Sequence, residues 1–563
     1  MTRDEQLGRL RERQSWPVLV IGGGINGIGV LRDLALQGVD VLLVTKGDFA
    51  EGASAASSHM IHGGLRYLEQ AEFRLVRESV NERNTLLRNA SHFVKPLQTT
   101  IPLFTRFGGF FAAASRFLRL GTKPGKRGAF WVKLGMRLYD SYTRTSRVLP
   151  KHRFESAAEV LARIPQLNPR ILCAAVYHDA WIACPERLCH EIVSDARDAH
   201  EGAVAINYLS AESMESGRVQ LRCAVSGEML EVEPDVVINA TGAWIDRTNE
   251  RLGESTRHIG GTKGSHLVLD HPELREVLDG EIFYENPDGR VCLVMPFHDR
   301  VIIGTTDIPV ASPDVARCEE DEIEYILEAA RRVLPGFTFD HSRVVCRYCG
   351  VRPLPYSDSP FPGMVSRDHS APVAKPAGER SFSIYSLVGG KWTTFRAFAE
   401  EITDLVLADL GKSRVQATEN IAIGGGRNMP APGDASEQWL GSQAALDGLA
   451  IDRRRELLSR YGTRCIEVMT SVSGSDDRML SSVQGYSSAE IAFICTQEDV
   501  VHLDDVLLRR TNLGLLGHVT RAGLDEIADI CADALGWDAS RTEEEKQRAA
   551  EILQRDFGYT FEQ

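Results

Sequence analysis

Short apolar runs alternate with helix-like segments along the first part of the chain. The apolar run 18–21 leads into a glycine-rich turn, the helical pattern 25–36 follows, and a second apolar run covers 39–44. This order and length are typical of a βαβ unit, in which one helix connects two parallel strands. Later apolar runs predict further buried strands, at 235–239, 301–307 and 383–388. The pattern therefore favours an α/β fold.

Helical periodicity marks much of the remaining chain. It predicts a charged helix at 69–89, an amphipathic helix at 393–410 and a solvated helical lead-in at 1–14. The glycine and proline content of 424–436 predicts a linker, and helical periodicity continues throughout 437–563. We therefore expect one large unit over 1–423, a linker over 424–436 and a helical C-terminal domain over 437–563.

Composition and charge narrow the class of protein. The chain has 563 residues, of which 43% are hydrophobic and 25% charged, an ordinary globular mixture. Its net charge of −14 argues against nucleic-acid binding through a whole-chain basic field. No window reaches the ~18 consecutive apolar residues of a membrane span, and the N-terminus lacks the apolar core of a secretory signal.

The cysteines indicate a reducing compartment. There are 11, an odd number whose spacing forms no disulfide framework. Cys346 and Cys349 form a single C-x-x-C without a second pair or histidines at metal-ligand spacing. We interpret them as two residues of a buried strand and expect no metal.

Residues 106–153 form a basic, aromatic segment within this acidic chain. The segment contains twelve lysines and arginines but only one acidic residue, Asp140. Phenylalanines, Trp131 and Tyr139 are interleaved with the basic residues. Such a segment could lie on an anionic membrane surface. The alternative is a helical hairpin whose basic face is solvated, and the sequence leaves both interpretations open.

The glycine-rich turn carries the first chemical signal. Gly22, Gly24 and Gly27 fit G-x-G-x-x-G between a predicted strand and a predicted helix, the context that a dinucleotide fingerprint needs. The glycines let the backbone approach a pyrophosphate, and the helix N-terminus offers it unpaired N–H groups. Thr45 replaces the acidic residue expected about 20 residues later, and its hydroxyl is a candidate ribose contact. The fingerprint alone does not distinguish among NAD, NADP and FAD, and it leaves open a turn that binds no ligand.

Several longer strings place the chain beside a known family. Residues 22–27 and the string Ser-Ser-His-Met-Ile-His-Gly-Gly-Leu-Arg-Tyr at 57–67 are very similar to the FAD-dependent glycerol-3-phosphate dehydrogenases. Further matching strings follow in the same order, at 239–242, 263–266, 303–307, 350–354, 366–368, 389–396 and 504–511. The resemblance covers roughly residues 15–550 and is far more specific than the glycine fingerprint.

The resemblance implies FAD as the cofactor and oxidation of a secondary alcohol beside a phosphate. The implied fold is α/β: a Rossmann-like FAD-binding domain of the glutathione-reductase/amino-acid-oxidase type with an interleaved α+β substrate region, followed by the C-terminal helical domain. In the family, the helix N-terminus after Gly390 faces the flavin ring. Its dipole would stabilise the negative charge of the reduced ring.

The substrate pocket implied by the resemblance contains several cations. Arg66, Arg352 and Arg367 match the family's pocket arginines, and Tyr67 adds a hydroxyl beside Arg66. Guanidinium groups suit a phosphate because they offer bidentate, charge-assisted hydrogen bonds, each contributing on the order of 1.5–3 kcal/mol. The alternative for any one arginine is a surface ion pair.

Transfer of a hydride to the flavin requires a base that takes the hydroxyl proton. His266 is the first candidate, because an imidazole near its reference pKa of about 6.5 is poised for this step. Lys391 is the second, as base or as a cation near the substrate oxygen, provided that its surroundings lower its pKa. Together with Arg352 these two form the expected catalytic set.

The remaining expected residues bind the cofactor. Small residues would let a loop wrap it closely, and turns at strand ends lie where α/β folds place ligands. The expected cofactor contacts are Gly22, Gly24, Asn26, Gly27, Thr45, Ser57, Ser58, His62, Gly63, Gly64, Ala240, Thr241, Gly242, Asp307, Gly390, Lys391 and Thr393.

The resemblance thus predicts oxidation of sn-glycerol 3-phosphate to dihydroxyacetone phosphate, with electrons passed from FAD to a quinone. The expected partners are the phosphorylated polyol, the quinone, an anionic membrane surface and a second copy in a homodimer, with no nucleic acid. The expected location is the cytoplasm, peripherally on the inner face of the cell membrane. Three alternatives stay open: the same chemistry on another polyol phosphate such as erythritol phosphate, an oxygen-using oxidase, and a flavin-bearing scaffold without catalysis.

Overall fold

The computed structural model describes residues 2–70, 72–105, 129–142, 148–357, 367–472 and 477–561. The side chain of Arg66, and most of the basic, aromatic segment 106–153, lie outside these described residues.

The first sheet confirms the predicted βαβ unit. Strand Ser15–Ile21 pairs in parallel with Val41–Val44 on one side and with Met229–Asn239 on the other. The strands of this sheet, in spatial order, are Val373–Ala374, Ser383–Ser386, Met229–Asn239, Ser15–Ile21, Val41–Val44 and Ala203–Ile206, and a hairpin of Leu209–Glu215 and Arg218–Cys223 extends Met229–Asn239. The central strands are apolar on both faces because helices cover both.

The second sheet is mostly antiparallel and provides the other wall of the site. Its strands, in spatial order, are Ile308–Pro309, Thr262–Leu269, Arg300–Gly304, Val291–Phe297, Glu281–Glu285, Val94–Leu103, Cys173–Ile182 and Met60–Ile61. Val344–Arg352 also pairs with Thr262–Leu269, and Arg153–Ser156 pairs with Cys173–Ile182. Cys346 and Cys349 lie in the strand Val344–Arg352, as predicted, and the described residues contain no cluster that could hold a metal.

Helices cover both sheets and form the C-terminal domain. The α-helices of the described residues are Arg3–Glu12, Ile25–Leu36, Phe73–Asn89, Ala129–Tyr142, Ala157–Arg163, Pro185–Ala199, Ile245–Arg251, Pro272–Val277, Glu320–Val333, Phe395–Asp409, Asp434–Gly441, Ile451–Tyr461, Cys465–Val472, Ser488–Gln497, Leu503–Asp505, Arg521–Leu535 and Ala539–Phe557. A π-helical turn spans Val506–Arg510. No helix among the described residues is both long enough and apolar enough to span a bilayer.

The N-terminal helix corrects one prediction. Helix Arg3–Glu12 was expected to be solvated, but Gln6, Leu7 and Leu10 are buried in it. The two leucines join the apolar cluster on one face of the first sheet. The lead-in therefore covers the core.

The expected linker contains tightly packed glycines. Gly424, Gly425 and Gly426 form a buried 3₁₀ turn. A Cβ added at Gly425 would lie 1.8 Å from the carbonyl oxygen of Tyr461, and one at Gly426 would lie 2.3 Å from that of Asn89. The division into units 1–423, 424–436 and 437–563 stays a prediction.

Candidate active site

The glycine-rich turn after the first strand forms a close-packed cradle. Gly22 has φ +115°, and a Cβ there would lie 2.6 Å from the carbonyl oxygen of Ala240. A Cβ at Gly27 would lie 2.0 Å from the carbonyl oxygen of Gly22, so only glycine fits. Helix Ile25–Leu36 begins after Gly24 without a side-chain cap and without an acidic residue in its first turn. Its N–H groups are therefore suited to a bound anion.

Two further loops meet this helix N-terminus. The Ser54 hydroxyl accepts from the N–H of Ile25 at 3.0 Å, and the Ser54 carbonyl accepts from the indole N–H of Trp392 at 2.9 Å. Gly390 has φ +88°, and a Cβ there would lie 3.0 Å from Asn26 Nδ2. The Oδ1 atom of Asn26 is buried without a hydrogen-bond partner among the described residues. Three distant stretches of the chain thus converge at the N-terminus of this helix.

The turn 240–242 joins the two sheets. Thr241 follows strand Met229–Asn239, and its hydroxyl donates to Asn239 Oδ1 at 2.6 Å. On the opposite wall, a Cβ at Gly350 would lie 2.6 Å from Cβ of Ala56. A Cβ at Gly242 would lie 4.0 Å from Cβ of Pro353, which directly follows strand Val344–Arg352. The carboxyl end of the parallel sheet, where α/β folds bind ligands, therefore lies against the antiparallel sheet.

His266 is buried on the face of the second sheet that meets this edge. Its ring stacks on Tyr348 with centroids 5.1 Å apart, and neither ring nitrogen has a hydrogen-bond partner among the described residues. Burial, and then the charge of Arg352, lowers the pKa of His266 to about 3. The expectation that this imidazole titrates near its ordinary pKa is therefore wrong, since burial keeps it unprotonated even in mildly acidic solution.

The loop 57–58 packs against the same strands. The Tyr348 hydroxyl donates to the Ser57 carbonyl at 2.9 Å, and the Ser57 hydroxyl accepts from the N–H of His59 at 3.2 Å. Ser57 and Ser58 are half-buried. This loop is thereby held against the stacked pair of His266 and Tyr348.

Arg352 lies beside His266 in a fixed orientation. Its Nη1 donates to the Thr306 carbonyl and to Asp307 Oδ1, each at 3.2 Å, and its Nη2 donates to the Thr305 hydroxyl at 3.1 Å. The guanidinium covers Gly264, where a Cβ would lie 2.0 Å from Nη2. Since Gly264 precedes the imidazole by two residues, both side chains share one face of the strand. Asp307, an expected cofactor contact, therefore pairs with Arg352.

Lys391 directly follows Gly390, which packs against Asn26. Its Nζ donates to the Ser79 hydroxyl at 2.8 Å and lies 4.5 Å from the ring centroid of Tyr67. A Cβ at Gly64 would lie 3.0 Å from the same Nζ. The turn 62–64 is therefore in contact with the ammonium group, and that turn is itself tied to Thr393, whose hydroxyl accepts from the N–H of His62 at 3.2 Å.

The groups around Lys391 shift its pKa in opposite directions. Burial lowers its pKa and the charge of Arg367 lowers it further, whereas Tyr67, Asp179 and Glu78 raise it. The Nε atom of Arg367 is buried without a hydrogen-bond partner in the described part of the chain. The structure thus brings Lys391, Tyr67 and Arg367 close together, as it does His266 and Arg352.

Thr45 directly follows the second strand of the βαβ unit, where the acidic residue of the fingerprint would lie. Its backbone N–H donates to the carbonyl of Ile206 at 3.2 Å. Asp48 follows shortly after, but its carboxylate is buried against Arg509 and Arg510 of the C-terminal domain. Asp48 is therefore no substitute for the missing ribose carboxylate.

Comparison with known proteins decides the family. The model of the family described as "FAD dependent oxidoreductase" matches residues 17–405, and that of the "C-terminal domain of alpha-glycerophosphate oxidase" matches 416–542. A glycerol-3-phosphate dehydrogenase of Synechocystis is 34% identical, over 97% of this chain and 97% of its own.

This chain belongs to the FAD-dependent glycerol-3-phosphate dehydrogenase family.

Solved structures agree on the fold. A glycerol-3-phosphate dehydrogenase from Bacillus halodurans, complexed with FAD, superimposes with a TM-score of 0.73 at 22% identity, over 98% of this chain and 97% of that chain. An L-α-glycerophosphate oxidase from Mycoplasma pneumoniae, also with FAD bound, gives 0.53 at 15% identity, over 72% and 97%. At these identities the likeness shows the shared α/β fold alone, and the expected fold class is confirmed.

FAD is the cofactor of this dehydrogenase, and the residues present fit it. The close-packed Gly22 and Gly27, the first-turn N–H groups of the helix other than that of Ile25, and the unpaired Asn26 Oδ1 form a cradle for a pyrophosphate-bearing group. The individual contacts expected from the sequence stay predictions.

Sequence reasoning missed several residues of this dehydrogenase. Ser54 connects two of the three loops, Ser79 accepts from Lys391, and Asp179 accepts from the backbone of Gly63 at 3.1 Å. Only Asp179 gave a signal, as an acidic residue within the apolar strand Cys173–Ile182, since buried carboxylates are rare without a partner.

Proposed function

We propose that this protein oxidises sn-glycerol 3-phosphate to dihydroxyacetone phosphate and passes the electrons to a quinone. The observation that carries the proposal is a neutral, buried imidazole with both nitrogens unpaired in the described structure, beside an oriented guanidinium: His266 and Arg352. Glycerol 3-phosphate also appears in the names of the similar proteins from Synechocystis and Bacillus halodurans. A polyol phosphate offers one group to each side chain, a hydroxyl to the imidazole and a phosphate to the guanidinium.

In this proposal Arg352 and Arg367, with Arg66, bind the phosphate. Thr305, Thr306 and Asp307 fix the plane of Arg352, so little orientational freedom is lost when the phosphate binds. Bound FAD supplies the hydride acceptor.

His266 takes the hydroxyl proton. Its low pKa ensures that it is unprotonated before substrate binds. Arg352 contributes to that low pKa, so a phosphate dianion bound to Arg352 would offset its charge and make the imidazole more basic. Lys391, the other candidate base, would act as a cation facing the substrate oxygen.

The test is anaerobic titration of the purified holoenzyme, following the flavin absorbance. We expect glycerol 3-phosphate to bleach the flavin, glycerol to leave it oxidised, and erythritol phosphate to react more slowly. Arg352→Gln should lower kcat/KM about 100-fold, because loss of charge-assisted bonds worth about 1.5–3 kcal/mol changes a rate about tenfold per 1.4 kcal/mol. Arg347→Gln, on the same strand but paired with Glu320, is the matched control.

Other outcomes would redirect the proposal. Faster reduction by erythritol phosphate would change the substrate. Rapid oxygen consumption without a quinone would favour an oxidase. A flavin that no polyol phosphate bleaches would leave the scaffold interpretation.

We also propose that the enzyme associates peripherally with the inner face of the cell membrane and forms a homodimer. Helix Ala129–Tyr142 supports the membrane contact, because Leu134 and Leu138 are exposed beside Lys133 and Arg137. Apolar side chains interleaved with cations suit an anionic lipid surface. Light scattering of the holoenzyme tests the dimer.

A further inference from the structure

One carboxylate oxygen, Oδ1 of Asp179, connects two helices to the turn 62–64. Oδ1 of Asp179 accepts from Arg83 Nη1 at 2.6 Å, from the Tyr139 hydroxyl at 2.7 Å and from the Gly63 N–H at 3.1 Å. Asp179 is 1% exposed. Arg83 belongs to helix Phe73–Asn89 and Tyr139 to helix Ala129–Tyr142.

Tyr139 lies directly against the turn 62–64. A Cβ at Gly63 would lie 2.0 Å from the Tyr139 hydroxyl oxygen. Tyr139 is buried, its ring packs edge-on against Tyr177 with centroids 6.0 Å apart, and its hydroxyl accepts from Arg83 at 2.8 Å. The hydroxyl is therefore held from several sides, and the turn rests on it.

The same turn contacts the ammonium group of Lys391. A Cβ at Gly64 would lie 2.5 Å from Tyr67 Cδ2 and 3.0 Å from Lys391 Nζ. The charged and titratable groups that face Lys391 come from four different elements: Tyr67, Glu78, Asp179 and Arg367. Asp179 raises the pKa of Lys391 against the effect of burial.

We propose that Tyr139 and Asp179 are positioning residues that hold the turn 62–64 and the cation of Lys391 in place, and so couple helix Ala129–Tyr142 to the active site. The kinetic part of this proposal rests on the proposed function. The structural part does not, since it concerns one backbone amide and one ammonium group.

The first test compares Tyr139→Phe with Tyr142→Phe, a half-buried tyrosine on the same helix. Without its hydroxyl, Tyr139 no longer donates to Asp179 or supports the turn. In the holoenzyme we expect amide hydrogen exchange in peptides covering 62–64 to rise about tenfold in Tyr139→Phe, with unchanged flavin content. Flavin reduction by glycerol 3-phosphate should slow on the order of tenfold, because small displacements of positioned groups are costly. Tyr142→Phe should match the parent protein in both.

The second test concerns the charge. In Asp179→Asn the negative charge near Lys391 is lost, so the ammonium deprotonates more readily. We expect the pH midpoint for reductive methylation of Lys391, quantified by peptide mass spectrometry without substrate, to fall by about one pH unit. Asp140→Asn is the control, because Asp140 pairs with His152 at 2.8 Å.

Each outcome has a defined meaning. Unchanged exchange in Tyr139→Phe together with an unmoved midpoint in Asp179→Asn would overturn the proposal. If Asp179→Asn does not fold, because Arg83 is left buried without its counter-charge, the exchange data of Tyr139→Phe decide. If glycerol 3-phosphate fails to reduce even the parent flavin, the proposed function fails, while exchange and methylation still report on the positioning residues.

Discussion

At the scale of single residues, three side chains of the predicted site carry buried polar atoms without partners. Among the described residues, Asn26 Oδ1, both ring nitrogens of His266 and Arg367 Nε are buried without hydrogen-bond partners. Such an atom costs about 1–3 kcal/mol when it stays unsatisfied. These three side chains come from distant parts of the chain and all belong to the predicted site, so we expect FAD and substrate to supply their missing partners.

Glu281 gives a residue-scale prediction for pH dependence. It is fully buried, and burial raises its pKa to about 8. The folded protein therefore binds a proton that the unfolded chain releases near pH 4.5, so stability falls as pH rises from there to about 8. The free energy of unfolding of the parent protein should fall between pH 6 and pH 8. In Glu281→Gln we expect this fall to be smaller by about 2–3 kcal/mol, because one proton contributes about 1.4 kcal/mol per pH unit.

Denaturant unfolding at the two pH values measures this difference. Glu276→Gln, an exposed glutamate of helix Pro272–Val277, should leave the pH dependence unchanged. The same pH dependence in Glu281→Gln as in the parent would show that Glu281 is ionised in the folded protein.

At the scale of elements, the local sequence predicts which helices form, whereas tertiary contacts decide at which residue each helix begins and ends. Helix Ile25–Leu36 lies where the periodicity predicts it. The helix predicted at 69–89 begins at Phe73, because a 3₁₀ turn at Leu65–Gln70 carries Tyr67 to Lys391. The helix predicted at 393–410 is observed at Phe395–Asp409, after a second 3₁₀ turn that follows Gly390. Helical periodicity does not predict such turns, because their side chains contact other residues of the candidate site and do not follow the apolar pattern of a helix.

Helix Ala129–Tyr142 gives the element-scale prediction. Val132, Met136 and Tyr139 are buried on one face, whereas Leu134 and Leu138 are 53% and 36% exposed on the other. Replacing both exposed leucines by serine should weaken binding to vesicles that contain anionic phospholipid about 10- to 100-fold. The exposed parts of the two side chains together amount to about one leucine, whose burial contributes about 1.5–3 kcal/mol. Co-sedimentation with anionic and neutral vesicles measures the effect.

The matched control for that experiment is Leu405→Ser. Leu405 is 42% exposed on helix Phe395–Asp409, so the substitution removes, elsewhere on the protein, about as much exposed apolar surface as one of the two leucines. Equal loss in the control and the double variant, or no vesicle binding by the parent protein, would contradict the membrane proposal.

At the scale of the whole molecule, a buried ion cluster fastens the C-terminal domain to the βαβ unit. Asp48 accepts from Arg509 at 2.7 Å, from Arg510 at 2.6 Å and from Asn207 at 2.9 Å. Burial by itself would raise the pKa of Asp48, but the two guanidinium groups outweigh it and hold the pKa well below its ordinary value. The loop after Thr45 is therefore fixed by residues more than 400 positions later.

Asp48→Asn should loosen this junction. It leaves Arg510 without its buried carboxylate partner and Arg509 with only Asp504 and Asp505. Removing one partner of a buried ion pair typically costs about 3–5 kcal/mol. We expect faster hydrogen exchange on both sides of the junction and weaker retention of FAD, measured by mass spectrometry and flavin fluorescence. Asp40→Asn is the control: Asp40 pairs with Arg13 and His200 nearer the surface and should cost under about 1 kcal/mol. Junction exchange equal in both variants would refute a fastening role.

The sequence alone determined the α/β class, the position of the glycine turn, the FAD family and the arginines and histidine of the candidate site, because these follow from local pattern and from strings along the chain. Tertiary structure alone decided which groups meet. Only burial beside Arg352 lowers the pKa of His266 to about 3, and only folding places Asp48 against Arg509 and Asp179 against the N–H of Gly63. Pairings across hundreds of residues, and the desolvation that shifts a pKa, are properties of the packed chain and leave little trace in local order.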